Sequence, residues 1–252
     1  VGQGDSELLC MPGGEHILID AGTAATEEEL AAELERLGAG TLDLVVGTHP
    51  HADHIGGMAQ VVSALEVKEI LLPQVAEDMT PTTKTYEDLL ESIEQKGLSI
   101  TPAQPGQVVW NKDGAVLEVL APNSQEYSNL NNYSVVLRLT YGEDSFLFTG
   151  DAEQESEEEM LAKGYDLSAG VLKCGHHGSD TSTSPAFLKA VSPSAAVISC
   201  GEDNDYGHPN QETLDKLAQA GAEVYRTDTQ GTILAQTQGE GVTFTTGLPS
   251  VK

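Results

Sequence analysis

Short apolar runs and segments of helical period alternate along the whole chain. Residues 7–11 and 16–20 read as two strands joined by the turn Pro12-Gly13-Gly14. A helix is expected from Thr26, where Thr26-Glu27-Glu28-Glu29 has the form of a capping box. Leu30, Leu34 and Leu37 line one face of it, and Gly38 stops it. Residues 43–48 form a buried strand, and Ile55, Met58, Val61, Val62 and Leu65 then recur at helical spacing. Residues 69–73 read as strand and 86–96 as a helix ended by Gly97. Runs at 108–110, 115–121, 134–141 and 145–149 look like successive antiparallel strands.

The later part returns to alternation, with strands at 169–174, 195–200 and 223–227 and helices at 153–163, 185–191 and 209–220. Pro185 and Pro209 suit a first helical turn, where the missing N–H has no partner to lose. This order predicts two sheets packed face to face with helices outside, a four-layer α/β sandwich. With no low-complexity linker or short repeat, residues 1–252 are expected to form one domain. The opening Val1-Gly2-Gln3-Gly4-Asp5 reads as a strand entering a tight turn, so an upstream segment carrying any signal peptide or anchor is expected. No apolar run approaches the ~20 residues needed to cross a bilayer, so no membrane contact is expected from this segment itself.

Composition narrows the function. Hydrophobic content of 39% with 26 glycines and 11 prolines excludes disordered and fibrous classes. Forty acidic against 12 basic residues give a net charge of −28. Such a chain repels polyanions and offers no basic stripe, so strong binding to duplex DNA is not expected. Cys10, Cys174 and Cys200 show no CxxC spacing, which argues against a disulfide framework or zinc knuckle and leaves core packing as their role.

The chemistry concentrates in Thr48-His49-Pro50-His51-Ala52-Asp53-His54-Ile55-Gly56-Gly57, between a buried strand and an amphipathic helix. Imidazole nitrogen and carboxylate oxygen suit zinc and its neighbours. His49 and His51 alternate along an extended chain and point the same way. Asp53 and His54 fall where the chain turns into the helix and can face a second ion. Gly56-Gly57 lets backbone pass close to the site.

With its HxHxDH signature, the chain resembles the metallo-β-lactamase superfamily. Ile17-Leu18-Ile19-Asp20-Ala21-Gly22 is similar to the family's first motif, whose aspartate braces the histidine loop. Phe148-Thr149-Gly150-Asp151 resembles the motif whose aspartate bridges two metals, and Gly175-His176-His177-Gly178-Ser179 the motif supplying the last histidine. More closely, the chain resembles the C-terminal hydrolase domain of ComEC-type DNA-uptake proteins and their stand-alone relatives. Val1-Gly2-Gln3-Gly4-Asp5, Asn132-Tyr133-Ser134, Leu172-Lys173 and Tyr206-Gly207-His208-Pro209 carry that likeness.

The resemblance implies two divalent ions, zinc favoured over manganese. Their ligands would be His49, His51, Asp53, His54, Asp151 and one of His176 and His177, with His177 preferred. The other histidine of that pair would contact substrate or another ligand. No histidine lies between His54 and His176, where many members have one. Asn131, Asn132 and Ser134 hold that place and leave the first site a ligand short. Asp53 would also orient the attacking water, and His208 would steady a phosphate oxygen or cap a helix. Asp20 would brace a histidine, Asp5 would cap a turn or support the site, and Lys173 would neutralise a phosphate or stand exposed on its strand. His16 reads as structural, and the acidic run 153–159 as a solvated helix face.

The expected activity is hydrolysis of a phosphodiester, in DNA or in a cell-wall polymer, by a bacterial protein at or beyond the cell envelope. A phosphorylcholine-type esterase and a metal-binding module without turnover are the alternatives. β-Lactam or thioester hydrolysis is disfavoured by the missing histidine.

Overall fold

The computed structural model describes residues 1–248. One sheet orders Glu7–Cys10, His16–Ile19, Leu44–Val46, Ile70–Leu72 and Ile100–Pro102, its first pair antiparallel and the rest parallel. The other sheet runs Glu223–Arg226, Ala195–Ile198, Val171–Lys173, Asp144–Phe148, Val136–Tyr141, Ala115–Ala121 and Val108–Lys112. It is parallel up to Asp144–Phe148 and antiparallel beyond.

The two-residue alternation of strand side chains sorts them into layers. Ile17, Ile19, Leu44 and Val46 meet Leu117, Leu137, Phe148 and Val171 between the sheets. Leu18, Val45 and Ile70 turn outward against Leu34, Val61 and Leu89 of the helices Glu27–Arg36, Met58–Ala64 and Lys84–Gln95. On the far side, Leu147, Leu172 and Ala196 pack on Met160, Phe187 and Leu217 of Gln154–Lys163, Pro185–Val191 and Gln211–Ala220. The expected α/β four-layer sandwich is what results. Each buried Leu, Ile or Phe contributes roughly 1.5–3 kcal/mol, so these three cores fix where the strand ends lie. Asp20, Thr48, Asp151, His176 and Ser199 all follow carboxyl ends of strands, where open α/β sheets place their ligands.

Several local expectations change. The helix expected across residues 55–65 is split into Ala52–Ile55 and Met58–Ala64. A Cβ on Gly56 would lie 2.8 Å from the Gly22 carbonyl oxygen, and one on Gly57 2.5 Å from that of Ala21. The glycine pair thus lets the strand end carrying Asp20 press against the histidine loop. Thr26 precedes the first helix without capping it; its hydroxyl donates to the Thr23 carbonyl in a preceding 3₁₀ turn. Leu37 is exposed, since the helix ends at Arg36. Cys174 and Cys200 are core residues, but Cys10 is exposed on an edge strand.

The acidic run is not a uniformly solvated face. Glu157 is buried and accepts from the backbone N–H groups of Thr183 and Ser184, and Glu159 accepts from the Tyr127 hydroxyl. Pro209 lies outside its helix, which begins at Gln211 after an Asn210 whose side chain accepts from the Asp180 N–H. A hairpin of Thr232–Thr237 and Val242–Leu248, unread in the sequence, sets Ala235, Val242 and Phe244 against the inter-sheet core. Among the described residues no helix is long and apolar enough to cross a membrane.

Candidate metal centre

Asp151 stands in the middle of the cluster, buried, and its two oxygens face different partners. Near Oδ2 lie His49 Nε2 and His176 Nε2, each at 3.8 Å, and His51 Nδ1 is 3.0 Å from His49 Nε2. Near Oδ1 lie His54 Nε2 at 3.2 Å and His177 Nε2 at 3.8 Å, the latter also 3.4 Å from Asp53 Oδ2. The cluster thus has two lobes sharing one carboxylate. His49, His54 and Asp151 bring ligand-type atoms within 4.8 Å of one another, and so do Asp53, His54 and His177.

Local structure explains these placements. Asp20, in left-handed backbone just after its strand, accepts from Thr48 N at 2.7 Å and Thr48 Oγ1 at 2.6 Å. Its Oδ2 lies 2.7 Å from His54 Nδ1, which fixes that imidazole with Nε2 towards Asp151. Ser134 Oγ lies 3.3 Å from His49 Nδ1 and accepts from Asp151 N at 3.0 Å, so it orients one member of each lobe's wall. His177 Nδ1 donates to the Ser199 carbonyl at 2.9 Å. A ring nitrogen occupied in this way is the usual companion of a metal-ligating histidine. His176 and His177 both adopt positive φ, 50° and 54°. The successive left-handed turns send one imidazole to each lobe instead of both to one side.

That arrangement changes the reading of the histidine pair. Both imidazoles enter the cluster, and His176 stands on the His49 side where the sequence left a gap. The Asn131 and Asn132 amide nitrogens donate to Glu153 and Glu155, Asn131 Oδ1 is buried without a hydrogen bond, and of that trio Ser134 is the one hydrogen-bonded to a cluster histidine.

Lys173 also departs from both expectations. It shares an inward face with Val171, is buried, and donates to Asp5 Oδ2 at 2.7 Å and the Cys174 carbonyl at 3.2 Å. It is neither exposed nor free for a phosphate. Asp5 in turn is stapled to the histidine loop, its N–H donating to the Asp53 carbonyl at 3.0 Å and its carbonyl accepting from Gly22 at 2.7 Å. His208 does not cap the following helix; its N–H and carbonyl both bond Asn204, and its ring stacks against His177. His16 lies outside the cluster, paired with Cys10 on its strand. Sequence reasoning missed Thr48, although it stands inside the motif, and Ser199, which no side-chain chemistry marks.

Electrostatics show what this donor set accommodates. Burial opposes ionisation of Asp151, yet the adjoining His54 and His177 hold it well below the usual carboxylate range. Burial likewise opposes ionisation of Asp53, but the adjoining His177 and His54 imidazoles bring it to about 2. His54 is pushed down by burial and, more strongly, up by Asp151 and Asp20. Burial and the neighbouring His54 drive His49 well below the imidazole range. His54 Nε2, His177 Nε2 and Asp151 Oδ1 are buried without a hydrogen bond although they converge. Buried carboxylates and unbonded imidazole nitrogens pointing at common centres fit divalent cations, because buried charges are otherwise paired.

The metallo-beta-lactamase superfamily model matches residues 1–202, and the chain belongs to that superfamily. It is 33% identical to ComE operon protein 3 of Bacillus subtilis over 92% of its length and 34% identical to competence protein ComA of Neisseria gonorrhoeae, also over 92%. It spans 32% and 30% of those two proteins, about a third of the curated relatives it matches. Its fold is similar to Igni18, a metallo hydrolase from Ignicoccus hospitalis, with a TM-score of 0.54 and 16% identity. The likeness covers 90% of this chain and 94% of that one. The fold family implies divalent metal binding and a hydrolase scaffold, and the curated relatives are competence proteins of bacteria.

Proposed function

We propose that this chain is a metal-dependent phosphodiesterase of the nuclease type, working as one hydrolase domain at the bacterial cell envelope. The observation that carries the reading is the shared Asp151 carboxylate. Each of its oxygens faces a separate imidazole set, His49, His51 and His176 on one side and His54 and His177 with Asp53 on the other. Imidazole nitrogens suit zinc and carboxylate oxygens suit manganese, so this mixed donor set accepts either ion. Two divalent ions there would lower the pKa of bound water from about 15.7 to about 7 and offset charge on a phosphate.

The chain's own groups supply the rest. Asp53, ionised at neutral pH and one-third exposed, orients the attacking water. His208 Nδ1 is buried without a partner, and its ring stands beside both His176 and His177. It therefore steadies a phosphate oxygen, while Asp20 and Ser134 keep the imidazoles in place. No protein nucleophile is needed. Kinship with competence proteins supports nucleic acid as the substrate.

The test is a chromogenic panel with protein loaded with zinc or manganese. Bis-p-nitrophenyl phosphate should turn over faster than p-nitrophenyl phosphorylcholine, and a cephalosporin should not react. Metal bound without turnover of either phosphodiester would mark a binding module instead.

A further inference from the structure

A ladder of rings leads away from the metal centre. His208 stacks on His177 with centroids 6.4 Å apart and planes 20° apart. Tyr206 stacks on His208 at 5.8 Å and 24°. The ladder ends in solvent, because Tyr206 is 69% exposed. A scattered exposed aromatic residue needs no explanation, but this one is held in place. The Asn204 amide donates to the carbonyls of Gly201 at 2.9 Å and His208 at 2.6 Å, and its oxygen accepts from His208 N at 3.0 Å. Gly207, at φ +70°, supplies the left-handed step that returns the chain to His208. One face of the Tyr206 ring is covered by His208, and among the described residues no other ring lies on its second face.

We infer that Tyr206 is a stacking platform for one unpaired base of a nucleic-acid strand whose phosphate lies at the metal centre. The inference rests on the phosphodiesterase reading and names the part of the substrate that reading leaves open. A single open face, tilted 24° from the His208 ring beneath it, matches one further planar ring. A quaternary ammonium group is instead recognised by a cage of rings on several sides.

Charge points the same way. Surface cations such as Arg138, Lys112 and Arg226 are paired with carboxylates, and Lys173 is buried against Asp5. With 12 basic against 40 acidic residues, little positive charge is left to follow a phosphate backbone, whereas stacking supplies affinity to any base without it. Glu202, Asp203 and Asp205 are exposed in the same turn and repel neighbouring phosphates, which confines the subsite to one nucleotide. A duplex, with its bases already stacked on each other, has no free ring to offer.

The experiment measures binding of a short fluorescent phosphorothioate single strand to zinc-loaded protein by anisotropy. Tyr206→Phe should bind as the wild type does, and Tyr206→Ala about tenfold more weakly. A strand with abasic positions should lose about the same factor with the wild type and nothing further with Tyr206→Ala. Equal affinities of wild type and Tyr206→Ala would overturn the inference, as would an abasic strand binding as tightly as an ordinary one. A Tyr206→Ala defect confined to p-nitrophenyl phosphorylcholine hydrolysis would reassign the ring to a cationic headgroup. If the base-dependent binding holds but no phosphodiester is hydrolysed by the wild type, the phosphodiesterase reading fails alone.

Discussion

His49 and His176 come from opposite halves of the chain, yet the Nε2 atoms of both lie 3.8 Å from Oδ2 of Asp151. In the proposed two-ion centre, that convergence assigns His176 and His177 to one lobe each. Either single substitution to alanine should leave about one divalent ion per chain in place of two and lower phosphodiester turnover at least a hundredfold. Metal analysis after desalting, with turnover on the same samples, checks this. Full metal content in His176→Ala would return that residue to a substrate-contact role.

Asp151→Asn keeps the shape of the shared group and removes its charge. Both lobes should lose affinity together, because each was built around one of its oxygens. Calorimetric titration with zinc should show both binding steps weakened tenfold or more, whereas Asp53→Asn should weaken only one. Selective loss of one step in Asp151→Asn would mean that the carboxylate serves a single ion.

Most of the fold was legible because burial follows period: alternating apolar residues became sheet faces, and the 3.6-residue repeats became helices over them. Asp20, His49, His51, Asp53, His54 and Asp151 were legible because ligand chemistry is dense there and each follows a strand. What the sequence hid was direction. A two-residue period cannot show that backbone at φ 50° and 54° splits His176 from His177. Nor could it show that Lys173 faces the buried Asp5 and not solvent, since the two are joined only when the sheets pack. The closing hairpin was missed because its strands alternate small polar residues with few large apolar ones.

The Lys173–Asp5 pair ties the first residues of the chain to the second sheet inside a closed core. Removing one partner of a buried pair costs roughly 3–5 kcal/mol. Lys173→Met should therefore lower the urea midpoint of metal-free protein sharply, and the double change Asp5→Asn with Lys173→Met should recover much of the loss. A Lys173→Met protein as stable as the wild type would show that Asp5 tolerates burial alone.

Salt should matter little. With 12 basic residues against 40 acidic ones and Lys173 enclosed, at most one or two phosphates should meet countercharge. The slope of log K against log salt for duplex DNA should then be no steeper than about −2, from about −0.9 for each neutralised phosphate. Binding isotherms across a salt series check it, and nanomolar duplex affinity with a slope beyond about −4 would reveal a basic surface absent from this account.

A proposed two-ion centre that hydrolyses phosphodiesters should respond stoichiometrically to metal reconstitution. Chelator-stripped protein is titrated with zinc, and separately with manganese, while bis-p-nitrophenyl phosphate hydrolysis is followed. Activity should rise steeply up to two equivalents per chain and then level off. Protein that binds neither ion, or that reaches two equivalents with no hydrolysis, would contradict the account.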